Sequence, residues 1–141
     1  MYYSGITAPD IANGNGCRVV LWVSGCTHKC KNCHNPETWS FTYGKKFNDE
    51  TINEIFKWLD KSYISGLTIS GGDPLDRSPY ELMEILCLCK TVKEKYPNKS
   101  IWIYTGYVYE SLNDNQKEIL NYCDVLVDGP YIESMRDLSL P

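Results

Sequence analysis

Four short runs of β-branched and aromatic residues, separated by stretches of helical period, leave this chain few architectures to choose from. The runs cover 17–23 (Cys-Arg-Val-Val-Leu-Trp-Val), 67–70 (Leu-Thr-Ile-Ser), 101–104 (Ile-Trp-Ile-Tyr) and 124–129 (Asp-Val-Leu-Val-Asp-Gly). Each has the length and composition of a core strand. After the first, Asn48 or Asp49 can cap a helix to about Lys61, with Ile52, Ile55, Phe56 and Leu59 on its buried face. Ser78-Pro79 opens a second helix, with Glu81 in capping-box position and Leu82, Ile85, Leu86, Cys89 and Val92 toward the core. A third, polar at its start, runs from about Asn113 to Tyr122. Strand alternating with helix predicts a largely parallel α/β sheet with right-handed crossovers. Four such steps are too few to close an eight-strand barrel, so an open sheet or partial barrel is expected. Residues 1–16 are expected to form a loop with a weak strand, and 130–141 a charged, irregular tail.

The first strand runs into Ser24-Gly25-Cys26-Thr27-His28-Lys29-Cys30-Lys31-Asn32-Cys33-His34, which sets three cysteines at C-x₃-C-x₂-C spacing. Soft thiolates that close together suit an iron–sulfur cluster, zinc or copper(I). Three protein ligands leave one iron of a four-iron cluster open to a substrate, whereas four close it for electron transfer. Zinc is the competing reading, because His28 and His34 flank the cysteines and Cys₃His is a usual zinc set. The usual zinc signature pairs two C-x₂-C knuckles, however, and only one C-x₂-C is present. His28 and His34 are better placed to tune a cluster than to ligate it. A disulfide scaffold fits poorly, since the seven cysteines are an odd number and no secretory signal precedes them. Cys17 is expected to pack as a small apolar strand residue. Cys87 and Cys89, two apart on a helix, point to different faces and are expected to be structural.

A second constellation follows the second strand, at Gly71-Gly72-Asp73-Pro74. Adjacent glycines allow backbone to approach a ligand, and carbonyls there can accept from an ammonium. Alone the tetrapeptide reads as a strand-to-helix turn. In the same chain as the cysteine triplet it gains weight, and a β-branched residue at Gly72 is expected to block ligand binding while sparing the metal. The third strand ends in Thr105-Gly106, a hydroxyl beside accessible backbone. Strand C-termini are where α/β folds place their sites, so the three loops are expected at one rim.

Composition excludes several classes. Lys and Arg total 14 against 18 Asp and Glu, and the net charge of −4 lacks the basic footprint of a nucleic-acid binder. Nor does it favour an anionic membrane surface. The apolar run Val19–Val23 is far too short to span a bilayer. Met1–Gly5 has neither the basic nor the apolar region of a signal peptide. Unpaired cysteines without an export signal point to a reducing cytoplasm.

C-x₃-C-x₂-C after the first strand and Gly-Gly-Asp-Pro after the second resemble the radical S-adenosylmethionine (SAM) enzymes. Val-Ser-Gly-Cys26, Cys33-His-Asn-Pro-Glu-Thr-Trp39, Ser-Gly-Gly-Asp-Pro-Leu75, Tyr-Thr-Gly-Tyr107 and Val-Leu-Val-Asp-Gly129 are similar, more narrowly, to the activating subunits of anaerobic ribonucleotide reductases, over about residues 10–140. The resemblance implies an open, partial (β/α) barrel of the radical SAM type, in a single domain over 1–141. It implies a [4Fe–4S] cluster on Cys26, Cys30 and Cys33. It also implies SAM held by Gly71, Gly72 and Asp73, with Thr105 and Gly106 near its carboxylate or ribose.

In this family, reductive cleavage of SAM yields a 5′-deoxyadenosyl radical that takes a hydrogen atom from a glycine of the large reductase subunit. No side-chain acid or base is required. A flavodoxin- or ferredoxin-like electron donor is implied as a second partner. Two departures stand out. Most of the superfamily carries an aromatic residue before the third cysteine, where this chain has Asn32, so backbone at Asn32, Cys33 and His34 is the expected adenine contact. The family's usual Arg-Gly-Ser-Ser-Asn-Gln-like tail is also lacking after Leu-Ser-Leu. Two other readings stand beside this one. One is a small-molecule radical SAM enzyme such as a carboxy-deazaguanine synthase. The other is a non-enzymatic zinc or iron–sulfur module.

Overall fold

A computed structural model describes residues 1–25, 44–128 and 134–137. The elements in chain order are β1 (Tyr2–Asp10), β2 (Arg18–Val23), β3 (Lys45–Lys46), α1 (Asp49–Leu59), β4 (Gly66–Gly71), α2 (Pro79–Lys95), β5 (Ser100–Tyr104), α3 (Asp114–Leu120), β6 (Val125–Asp128) and β7 (Ser134–Asp137). They build a seven-stranded sheet in the order β3-β1-β2-β4-β5-β6-β7. The four central strands, β2, β4, β5 and β6, are mutually parallel and adjacent in chain order. Such sequential order, with every crossover of one hand, keeps the helices on one face of the sheet. The result is the open partial barrel expected from the sequence.

The helix side is the core. Val19, Leu21 and Val23 of β2, Leu67 and Ile69 of β4, Ile101 and Ile103 of β5 and Leu126 of β6 pack with Ile55, Leu59, Leu82, Ile85, Leu88, Cys89 and Ile119. Each fully buried aliphatic side chain stabilises the fold by about 1.5–3 kcal/mol. Leu88 is buried in α2 and Leu86 only partly, because burial follows the side that meets the sheet. Capping matches the sequence at Asn48, whose side chain accepts from Thr51 N in a full capping box. At α2, Ser78 accepts from Glu81 N, and Glu81's carboxylate faces Arg77 and the Met1 amine. Asn113 and Gln116 box the start of α3, which is shorter than its periodic pattern.

Two expectations are corrected. Residues 2–10 are a full strand, antiparallel to β2 with registers such as Ile6↔Leu21, rather than mostly loop. Ser134–Asp137 is likewise an antiparallel strand on β6, not irregular tail. Gly5 and Pro9 interrupt the first segment, and the second is short and half charged. An already formed edge supplies their ladder partners, and tertiary pairing overrides local preference. No helix among the described residues is long and apolar enough to cross a membrane.

Candidate metal and cofactor site

The parallel register carries the C-terminal ends of β2, β4, β5 and β6 to one rim. Val23 lies opposite Gly71, and Tyr104 opposite Val127. The backbone continues this alignment past the strands. Gly72 N donates to Val23 O at 2.8 Å and Asp73 N donates to Gly25 O at 2.8 Å. Ser24 N in turn donates to Tyr2 O of β1 at 3.0 Å. The glycine loop therefore grips the residues that lead into the cysteine segment.

That grip explains both glycines. Gly71 has φ +111°, in the left-handed region, and a Cβ there would meet Val23 O at 2.3 Å. A Cβ on Gly72 would meet Gly25 O at 2.4 Å. Contacts that short do not occur without displacement, so the space beside each glycine is filled by the chain's own backbone. A β-branched residue at Gly72 therefore bears on the segment that leads into the cysteines as well as on any ligand. Such a side chain would push directly on Gly25, next to Cys26.

Asp73 is fully buried and joins two loops. Its carboxylate accepts from Leu75 N at 2.9 Å, from Thr105 Oγ1 at 2.8 Å and from Gly106 N at 2.8 Å. Thr105 Oγ1 also accepts from Tyr107 N at 3.2 Å, and Thr105 N donates to Val127 O at 2.9 Å. Further links tie the rim together: Tyr107 OH donates to Asp76 at 3.1 Å, Gln116 Nε2 to Leu75 O at 2.7 Å and Tyr109 N to Asp128 at 2.8 Å. Gly71, Gly72, Asp73, Thr105 and Gly106 thus stand together at the rim as expected. Asp73 and Thr105 hold loop to loop through their side chains.

The sheet face away from the helices has two levels above the Arg18–Gly66–Ser100 row at its base. Val20, Thr68, Trp102 and Val125 are in register across the lower one. Thr68 Oγ1 there donates to Asn13 O at 2.7 Å, so the 11–17 loop packs against that level. One step nearer the rim stand Trp22, paired with Ser70, and Tyr104, paired with Val127.

Cys26, Asn32, Cys30, Cys33 and His34, together with His28, lie outside the described residues. The surroundings can still be tested against a metal cluster. Ser24, two residues before Cys26, is fully buried, and its hydroxyl has no hydrogen-bond partner among the described residues. A buried unsatisfied hydroxyl is costly unless some group accepts from it. The three thiols of residues 26–33 form a soft donor set, and sulfur accepts hydrogen bonds. The residues present fit a cysteine-ligated iron–sulfur group. Of the remaining cysteines, Cys87 is exposed while Cys89 is buried, confirming that the pair faces two ways. Cys17 is half-buried and packed against the core. Cys123 is buried beside Cys89, and their contact together with burial pushes its thiol pKa up. Such a thiol is inert rather than a ready ligand.

Sequence reasoning missed two buried arginines, Arg18 and Arg77. Arg18 sits at the opposite end of the sheet. Its guanidinium donates to Thr68 Oγ1, Asn15 O, Ser100 Oγ, Leu67 O and Ser100 O at 2.8–3.0 Å, and lies 5.7 Å from the Trp102 ring centroid. Burial lowers its pKa to about 10, against the opposing field of Asp124 and Tyr104. The only sequence signal was a charge interrupting an otherwise apolar strand.

Residues 12–141 match the family described as a 4Fe-4S single cluster domain. Match, fold and donor set define the class as a single-cluster iron–sulfur protein on a partial (β/α) barrel. The anaerobic ribonucleoside-triphosphate reductase-activating protein of Enterobacteria phage T4 is 46% identical over 135 residues, covering 96% of this chain and 84% of the relative. That of Haemophilus influenzae is 44% identical over 133 residues, covering 93% and 84%. That of Escherichia coli K12 is 38% identical over 133 residues, covering 93% and 85%. This chain belongs to the family of anaerobic ribonucleoside-triphosphate reductase-activating proteins.

Proposed function

We propose that this chain activates an anaerobic ribonucleoside-triphosphate reductase by generating a glycyl radical on its large catalytic subunit. It is a radical SAM activating enzyme, with a [4Fe–4S] cluster and SAM as cofactors. The observation that carries the reading is the locking of 71–73 onto 23–25, in a chain of this family. It couples the launch point of the three cysteines to the loop best suited to a cofactor's polar end.

Cys26, Cys30 and Cys33 would hold the cluster. When bound, the cluster and SAM together supply reductive cleavage of the sulfonium, giving a 5′-deoxyadenosyl radical; the protein's part is to orient and shield them. We assign the amino group of SAM to the backbone of Gly71 and Gly72. Asp73 acts there chiefly as the brace that keeps Thr105 and Gly106 beside that loop. Thr105 and Gly106 would flank the carboxylate or ribose. Backbone at Asn32, Cys33 and His34 would meet the adenine. Ser24 would donate its hydroxyl hydrogen to a sulfur of the cluster.

The partial barrel leaves a rim for another protein to cover, whereas small-molecule sites bury most of their ligand. This supports the large reductase subunit as substrate over a small molecule. A flavodoxin or ferredoxin is proposed as electron donor, and the cytoplasm as the compartment; no role on nucleic acid or membrane is proposed. The test is to mix the reduced, SAM-loaded protein with its cognate large subunit and record electron paramagnetic resonance. A glycyl doublet on the partner is expected, dependent on Cys26, Cys30 and Cys33. SAM cleavage without a partner radical would return the small-molecule alternative.

A further inference from the structure

Arg77 lies four residues past Asp73, immediately before the Ser78 cap of α2. Its side chain is 0% exposed. Nη1 donates to Asp73 O at 3.0 Å, and Nη2 donates to Ser24 O. Nε stands 3.6 Å from a Glu81 carboxylate oxygen, one helical turn on. Burial pulls the guanidinium pKa below its ordinary value, opposed by Glu81, Asp73 and Asp76.

Burying a cation has a desolvation penalty of several kcal/mol unless it is fully hydrogen-bonded. A plain strand-to-helix turn has no need of one. Here the planar fork of the guanidinium reaches two carbonyls on different loops at once, which a lysine's single nitrogen matches poorly. Counting the amides of Gly72 and Asp73, three successive carbonyls, Val23, Ser24 and Gly25, are held from the one 72–77 segment. β2 ends at Val23, so Ser24 and Gly25 lie beyond the sheet ladder that orders the rest of the strand. The next residue is Cys26.

We propose that Arg77 is a positioning residue for the metal-binding segment: it fastens the residues before Cys26 to the glycine loop, so that the cluster and the SAM-binding backbone keep one relative geometry. This rests on the proposed cluster and SAM sites. Arg77 acts through its bonds to Ser24 and Asp73. Loss of the fork loosens the geometry between the two loops while leaving every ligand in place.

The experiment compares Arg77→Met, Arg77→Lys and Arg18→Met with the parent after anaerobic reconstitution. Arg18→Met is the matched control, since it removes an equally buried guanidinium at the other end of the sheet. Thermal melting, iron content, SAM affinity by calorimetry, and the SAM-induced change in the reduced cluster's paramagnetic resonance are measured on each. All three variants are expected to melt lower than the parent. Arg18→Met should keep parental SAM affinity and spectral change. Arg77→Met should bind SAM at least tenfold more weakly, with a reduced spectral change. Arg77→Lys should fall between. If Arg77→Met does not fold, Arg77→Lys alone decides, with a several-fold loss of affinity expected. Parental SAM affinity in a folded Arg77 variant overturns the proposal, and so does an equal loss in Arg18→Met, which would mark a purely structural role. A parent that takes up no cluster or no SAM fails the underlying reading instead, and is recognised before any variant is made.

Discussion

The two ends of the parallel sheet are built with the same devices. At the base, where β2, β4 and β5 begin, Arg18 is buried and donates to backbone carbonyls of neighbouring strands. A glycine beside it leaves no room, since a Cβ on Gly66 would meet Ser100 O at 1.9 Å. At the rim, Arg77 is buried and donates to carbonyls of two loops, and a Cβ on Gly72 would meet Gly25 O at 2.4 Å. A threonine bridges in each case: Thr68 between Arg18 and Asn13, Thr105 to Asp73. What differs is what the devices hold. The base closes on itself, with the 11–17 loop and Trp102 sealing it. The rim holds the residues that precede three cysteines, and it keeps a buried Ser24 hydroxyl without a partner among the described residues. Identical local physics thus serves stability at one end and the preparation of a site at the other.

Cysteine replacement gives the largest expected effect and tests whether the rim is the only metal-binding end. Cys26→Ala, Cys30→Ala or Cys33→Ala should abolish stable cluster uptake. Cys87→Ala should still take up about four irons per chain, the content of this cluster type. Iron and sulfide analysis after anaerobic reconstitution decides; stoichiometric zinc with refusal of iron and sulfide would break the rim reading.

Glycine replacement comes next and contrasts the ends directly. Gly66→Ala forces a Cβ into Ser100 O, and overpacking of this kind costs about 1–3 kcal/mol. Denaturant unfolding should show that loss, with SAM affinity of the folded fraction unchanged. Gly72→Ala should produce a similar loss of stability and, in addition, lower both iron content and SAM affinity, because the displaced neighbour is Gly25. Equal SAM affinity in the two variants would mean that crowding at the rim is packing alone.

The smallest effect sharpens the comparison most finely. Thr68→Val removes a hydroxyl that accepts from Arg18 Nε at 2.8 Å and donates to Asn13 O at 2.7 Å. Thr105→Val removes one that donates to Asp73. Thr68→Val takes an acceptor from the Arg18 guanidinium, and Thr105→Val takes one donor from an Asp73 carboxylate that keeps Leu75 N and Gly106 N; a lost hydrogen bond to a charged group costs about 1.5–3 kcal/mol. Both should therefore melt a few degrees lower, and calorimetry should separate them: only Thr105→Val is expected to weaken SAM binding.

Much of this was legible from residue order. The four core strands, the Asn48 and Ser78 caps, the opposite exposure of Cys87 and Cys89, and the gathering of 71–73 with 105–106 all follow from local pattern and from the parallel topology it implies. β1 and β7 were not legible, because Gly5, Pro9 and the charged 134–137 segment carry little strand preference of their own. The true partners of the glycines were not legible either. Gly71 and Gly72 advertise a close approach, and the sequence suggested a ligand; the register of β4 on β2 adds the backbone of Val23 and Gly25 as a second reason for both glycines.

By itself the sequence determined the alternating α/β order, the soft donor set at Cys26, Cys30 and Cys33, and the rim on which the motifs meet, because these depend on side-chain chemistry and short-range spacing. Only the tertiary structure decided which groups clamp the rim. Arg77 and Ser24 are separated by 53 positions, and Thr105 and Asp73 by 32. A hydrogen bond is a matter of a few ångströms, and no local pattern of residues encodes which distant carbonyl will come within reach.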